Sequence, residues 1–228
     1  MEGGPRSLGA RSRRRPDPVC PPRGSILSLT LFCSFPSPFV RKVLVCIEEA
    51  EVRLPIERRL AVVSPVKRDP AVAAANPLGK VPTLVLENGL AIFDSAVICE
   101  YLNAAGNGTL LPDAGPERWR VLRDQALADG MLDAAIIARH ETVSRPAAYQ
   151  WDGAVAAQRE KITAALDVIE IESAAYGSRV DVGTIAVGCG LGYLDIRFPD
   201  LPWRTGRANA ERWFARFAQR RSMVDTSP

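Results

Sequence analysis

Histidine occurs once in this chain of 228 residues and methionine three times, and the five cysteines include no pair two residues apart. An odd cysteine count without paired spacing makes no disulfide framework, and one histidine with no Cys/His cluster makes no zinc site. Three of the cysteines fall inside apolar elements, which suits small buried side chains in a reducing cytoplasm. Apolar runs long enough to cross a membrane are also missing, as is any repeat of 20 to 50 residues. An excess of either charge sign is also missing, with 29 Lys and Arg against 26 Asp and Glu. The net value is +3, but residues 1–24 hold six arginines against Glu2 and Asp17, so the rest of the chain sits near −1. A nearly neutral body has no electrostatic footprint for nucleic acid. Residues 1–24 are rich in Arg, Pro and Gly and have little to bury, which predicts a disordered extension. That extension lacks the apolar core of a secretory signal, and reads as another targeting segment or a misassigned start.

What the chain does have is 47% hydrophobic residues and strong local punctuation. The run from Asn76 to Leu102 shows most of it. Pro77 cannot continue a helix, and Gly79 tolerates a left-handed turn. Pro82 opens a β-branched run from Thr83 to Leu86, where an edge position or a cis peptide is the usual accommodation. Asn88-Gly89 is a strong hairpin signal, with Leu90 to Phe93 as the return strand. Asp94-Ser95 then precedes Val97, Ile98, Tyr101 and Leu102 at helical spacing, the pattern of a capped helix start and a natural carboxylate site.

Before that run, Ile26 to Phe32 reads as a strand. Ser37-Pro38 starts a helix whose apolar face, including Phe39, Val43 and Ile47, stands opposite Arg41, Lys42, Glu48 and Glu49. Val52 to Val63 reads as a second strand, and Ser64 to Ala75 as a short or irregular helix. The order β, α, β, α, β, β, α is that of an α/β thioredoxin-like domain, with a mixed sheet and helices on both faces. A Gly/Asn/Asp/Pro-rich loop from Asn103 to Gly115 ends it. The predicted units are the domain at 25–105, a linker at 106–115 and an all-helical domain at 116–228. In the latter, helices are expected at Pro116 to Glu141, Asp152 to Ala175, Asp181 to Leu194 and Asn209 to Arg221. The third, carrying Gly183, Gly188, Gly190 and Gly192, reads as a central helix buried on all sides.

Ser37-Pro38-Phe39-Val40-Arg41-Lys42, Asn76-Pro77-Leu78-Gly79-Lys80-Val81-Pro82, Phe93-Asp94-Ser95 and Glu100-Tyr101-Leu102 together resemble the glutathione S-transferase family. The likeness is to its serine-type bacterial members and spans about residues 25–228. The resemblance implies that Ser37 stabilises the thiolate of glutathione, the co-substrate. It implies that the Val81 backbone pairs with the cysteinyl part, and that Asp94 and Ser95 take the ammonium and carboxylate of the γ-glutamyl group. Lys80 is the candidate for the glycyl carboxylate, and Phe39 either walls the site or packs in the core. A small, mostly apolar electrophile, a homodimer and cytoplasmic residence are implied as well. The alternatives are that Ser37 is only a helix cap, that Cys33 supplies the chemistry as in cysteine-type relatives, or that the fold is kept for non-catalytic binding. His140, at a helix end between Arg139 and Glu141, could be a catalytic base toward the second substrate, but reads more readily as solvated. The family's central helix opens with Ser or Thr followed three residues later by Asp, whereas Asp181 and Thr184 stand there here, after a short connection from Tyr176 to Val180.

Overall fold

The computed structural model describes residues 28–228. The predicted extension at 1–24 and the first residues of the predicted first strand lie outside that range. The first half runs β1 (Leu29–Cys33), α1 (Pro38–Glu49), β2 (Ile56–Leu60), α2 (Pro70–Ala75), β3 (Thr83–Val85), β4 (Ala91–Ile92) and α3 (Ser95–Ala105). The strands form one mixed sheet in the order β2-β1-β3-β4, with β1 and β2 parallel and the β3–β4 hairpin antiparallel to β1. Alternation along β1 divides the two faces. Leu29, Leu31 and Cys33 enter the main core, whereas Phe32 turns to the opposite face and packs with Val72 of α2. The thioredoxin-like order and the helices on both faces are as the sequence predicts.

The elements are shorter than the patterns suggest. β2 begins only after Leu54-Pro55 and ends before Ala61, because it is an edge strand whose charged Glu57, Arg58 and Arg59 face solvent. In the hairpin, Gly89 takes φ +82° and the Asn88 side chain accepts from the Leu90 amide, which closes the turn in so few residues that β4 has only two.

The second half contains α4 (Pro116–Arg139), α5 (Asp152–Ser173), α6 (Val182–Arg197), α7 (Ala208–Phe217) and α8 (Arg221–Asp225). The helix predicted through Glu141 ends at Arg139 and passes into a π-helical turn, His140–Ser144. The single terminal helix predicted from Asn209 to Arg221 is two, divided at Ala218 to Arg220. The glycine-rich α6 is buried from Val182 to Leu194, as a helix surrounded by others requires. An ideal Cβ on Gly183 would stand 2.7 Å from the Val121 carbonyl of α4, and one on Gly190 2.7 Å from Met131 Cε. α4 and α6 thus run in the same direction at a separation that small residues permit.

Asp181 and Thr184 form a reciprocal capping box despite the exchange of residue types. The Thr184 amide donates to Asp181 Oδ1 at 2.8 Å, and the Asp181 amide donates to Thr184 Oγ1 at 3.0 Å. The connection before them is short but anchored. Arg179 Nη2 donates to the fully buried Asp124 at 2.8 Å, and the Val182 amide to the Leu110 carbonyl.

One expectation fails inside α1. Arg41 and Lys42, placed by periodicity on a polar face, are 8% and 0% exposed. The helix has no solvent face there because α3 packs on one side and α6 and α8 on another. Lys42 Nζ donates to Asp129 of α4, and Arg41 Nη2 donates to the Met223 carbonyl at 2.9 Å. Both cations hold the two halves together.

Candidate functional site

Sheet register decides which loops meet. β1 ends at Cys33, β3 begins at Thr83 opposite Phe32, and β4 ends at Ile92 opposite Leu84. The exit of β1, the entry of β3 and the exit of β4 therefore lie at one end of the sheet. Ser37, Lys80-Val81 and Asp94-Ser95 follow or precede those strand ends by a few residues. Three segments far apart in sequence are thus gathered at one end of the sheet.

Ser37 is the N-cap of α1, in extended conformation, and Pro38 at the first helical position fits there because it has no amide to leave unpaired. Its Oγ accepts from the Val40 amide at 3.3 Å, which uses a lone pair and leaves the hydroxyl hydrogen free to donate. The residue is half-buried. Phe39, next along, is also half-buried and leans on the main core, with the Lys42 ammonium 5.9 Å from its ring centroid. It contributes to the core at least as much as to any groove.

The turn before β3 is rigid. The buried Asn76 side chain donates to the Lys80 carbonyl at 3.2 Å and to Thr83 Oγ1 at 3.0 Å, and accepts from the Leu78 amide. Arg68 Nη2 donates to the Pro77 carbonyl at 2.6 Å and lies against Gly79, whose φ of +62° an L side chain rarely adopts. This frame presents Val81, joined to Pro82 by a cis peptide, with neither its amide nor its carbonyl hydrogen-bonded among the described residues. Unpaired backbone beside a sheet is what an extended peptide can join. Lys80 is exposed beside it.

Asp94 caps α3, its Oδ1 accepting from the Ala96 amide at 3.0 Å, and remains exposed. Ser95, the first residue of that helix, is 3% exposed and its hydroxyl makes no hydrogen bond to a described residue. The pair offers an anion and the donors of a helix N-terminus within two residues.

The two rival groups fare differently. Cys33 is buried and its Sγ donates to the Arg59 carbonyl at 3.6 Å. Burial raises its thiol, with Arg58 only partly opposing, so it stands as a protonated packing group. His140 is half-buried at the end of α4 and not freely solvated, and burial together with Arg139 lowers its pKa, so it is neutral at pH 7.

What sequence reasoning missed is the support beneath these segments: Asn76 and Arg68 under Val81, and the Lys42–Asp129 pair under α1. An Asn directly before Pro-Leu-Gly was the available signal for the first; nothing local signals the second. Hollows of about 240 Å³ beside Trp213 and Arg216, and of about 420 Å³ beside Asp195 and Trp203, are lined by other residues and contain none of these groups.

Comparison with known proteins follows the same geography. A family model for the glutathione S-transferase N-terminal domain matches residues 36–105. An uncharacterized GST-like protein, YibF of Escherichia coli strain K12, is 36% identical over 204 residues, covering 88% of this chain and 98% of its own. The crystal structure of a glutathione transferase family member from Pseudomonas fluorescens Pf-5 with bound glutathione superposes with a TM-score of 0.85 at 42% identity, over 88% of this chain and 98% of that one. A structure described as the same target with bound S-(propanoic acid)-glutathione gives 0.81 at 40% identity, over 88% and 99%.

Proposed function

This chain belongs to the glutathione S-transferase family, and we propose that it binds glutathione at the end of its sheet and transfers the thiolate to a small electrophile. The observation that carries the reading is the unpaired backbone of Val81 standing between the Ser37 hydroxyl and the Asp94-Ser95 helix start. Glutathione is a peptide with a central thiol, and needs backbone pairing, a donor for sulfur and partners for both charges of its γ-glutamyl end. Val81, Ser37, Asp94 and Ser95 are of the types that meet those needs, and Lys80 is placed to meet the glycyl carboxylate. The glutathione bound in one neighbour and the conjugate bound in another support both substrate and product.

The energetics are sufficient. A free thiol has a pKa of about 8.5, and ionising most of it at neutral pH requires a shift of about 2 units, or ~2.7 kcal/mol. A hydrogen bond to a charged group gives ~1.5–3 kcal/mol, and a helix N-terminus ~0.3–1 kcal/mol. Ser37, donating from the cap of α1, combines both. Sulfur then bonds to the electrophilic carbon, and the electron pair leaves with the displaced group or, in an addition, with the opened π bond.

The dimer expected of the family is supported by apolar side chains left in solvent on both halves, Leu90 and Val97 on the first and Trp119 on the second. Among the described residues no helix is long and apolar enough to cross a membrane.

Calorimetry with glutathione, paired with conjugation assays over halides, epoxides, hydroperoxides and mixed disulfides, tests the reading. Binding abolished in Asp94→Ala and turnover lowered about a hundredfold in Ser37→Ala are expected. Binding without any thiol chemistry would leave only a binding protein, and no binding would refute the site.

A further inference from the structure

Asn76 uses every polar group it has. Its amide donates to the Val72 carbonyl at 2.7 Å in the last turn of α2, and its carbonyl accepts from the Gly79 amide at 2.8 Å. In the side chain, Oδ1 accepts from the Leu78 amide at 3.0 Å, and Nδ2 donates to the Lys80 carbonyl at 3.2 Å and to Thr83 Oγ1 at 3.0 Å. The residue is 1% exposed. Only an amide accepts and donates twice from one short side chain; a carboxylate or an apolar group of that size does not.

Thr83, fully buried at the start of β3, completes the frame. Its Oγ1 accepts from Asn76 and donates to the Lys80 carbonyl at 2.8 Å, so that carbonyl receives two hydrogen bonds. The chain is thereby fixed on either side of Val81-Pro82, at Lys80 and at Thr83. The Val81 side chain packs against the small cluster of Phe32, Ala61 and Val72, and touches the main core as well. Val72 thus supports this turn twice, through its side chain and through its carbonyl.

Held in this way, Val81 keeps its own amide and carbonyl out of every backbone hydrogen bond among the described residues. An extended peptide needs both together, because a residue in an antiparallel pair can exchange two bonds with its partner. Hydrogen bonds weaken steeply once the donor angle falls below about 120°, so tilting this short segment loosens both at once. Ser37 and Asp94 are set by caps of their own, on α1 and α3, that do not involve Asn76.

Building on the glutathione reading above, we propose that Asn76 is a positioning residue for the peptide. Without touching glutathione it sets, with Thr83 as its relay, the orientation in which Val81 pairs with the cysteinyl unit. Asn76 therefore governs how tightly glutathione is held, and Ser37 how far its thiol is ionised.

The test measures glutathione binding by calorimetry and, with one electrophile held fixed, KM and kcat for glutathione in Asn76→Asp, Asn76→Ala, Thr83→Val and Thr83→Ser. Asn76→Asp keeps the acceptor for Leu78 and removes both donors. Kd and KM are expected to rise about tenfold in both Asn76 variants and about threefold in Thr83→Val, and to return to the native values in Thr83→Ser. The kcat at saturating glutathione should stay within about twofold, and the rising limb of the pH profile should not move, the pattern of lost uniform binding. If the Asn76 variants do not fold, Thr83→Val against Thr83→Ser decides. Folded variants with a lowered melting temperature and an unchanged Kd would make Asn76 structural only, and a displaced pH limb would put its effect on the sulfur. Either result overturns the proposal, while binding by the native protein leaves the glutathione site standing. A native protein that binds no glutathione overturns both.

Discussion

Lys42 Nζ lies 2.8 and 2.6 Å from the two carboxylate oxygens of Asp129, and the lysine is fully buried. Burial alone pulls a lysine pKa down; with Asp129 beside it the value is raised, so the ammonium stays charged within the core. The pair joins α1, which carries Ser37, to α4 of the second half. Removing one partner leaves the other charge buried and alone, a loss of about 3–5 kcal/mol. Asp129→Leu should lower the denaturant midpoint steeply, and Lys42→Met combined with Asp129→Leu should recover much of that loss. An additive double variant would show that the two side chains act independently.

This pair also marks the boundary of what could be read from the amino-acid order. Ser37-Pro38, Val81-Pro82, Asn88-Gly89 and Asp94-Ser95 are legible because adjacent residues set each cap, turn or edge. Their gathering at one end of the sheet is half legible, through the order of elements, and depends on a register that no single segment contains. The burial of Arg41 and Lys42 is not legible at all: periodicity assigns them to the side away from Val43 and Ile47, and only a second domain covering that side reverses the assignment.

Glu49, at the other end of α1, accepts from Arg220 Nε and Nη2 at 2.8 Å each and from the Ser222 hydroxyl, clasping the start of α8. Burial raises its pKa, but Arg220 and Ser222 overcome this and the net value is lowered. A carboxylate lowered on folding stabilises above its unfolded pKa of about 4.3, and that contribution disappears as pH falls through the folded value. With Arg220 over a third exposed, Glu49→Gln should cost only about 1 kcal/mol at pH 7. Urea unfolding of both proteins at pH 7 and in acid checks this: the gap should be widest at neutral pH and close below about pH 4.

Ser37 has two roles that one substitution separates. Loss of the cap in Ser37→Ala should lower stability by about 1 kcal/mol. Loss of the donor to sulfur should do more to catalysis, because ~2.7 kcal/mol of thiolate stabilisation corresponds to about a hundredfold in rate. The pH profile of kcat/KM distinguishes them: its rising limb should move up by 1 to 2 units toward the value of about 8.5 for a free thiol. A fall in activity with an unmoved profile would make Ser37 a cap alone.

Two glycines in neighbouring helices should respond to alanine with opposite signs. Gly130 lies on the exposed side of α4 with nothing within 4 Å of a Cβ placed there. Alanine at that position reduces the freedom of the unfolded chain and meets no obstacle, so Gly130→Ala should stabilise by about 0.5–1 kcal/mol. On α6, a Cβ at Gly183 would stand 2.7 Å from the Val121 carbonyl and 2.8 Å from Asp124 Cβ. Neither is the far end of a flexible chain, so α6 would have to move away from α4 and disturb Asp124, which receives Arg123 and Arg179. Gly183→Ala should therefore destabilise by about 1–3 kcal/mol despite its better helix propensity. Thermal unfolding of the two variants decides the matter. Equal shifts of the same sign would mean that propensity, not the closeness of α4 and α6, governs the central helix.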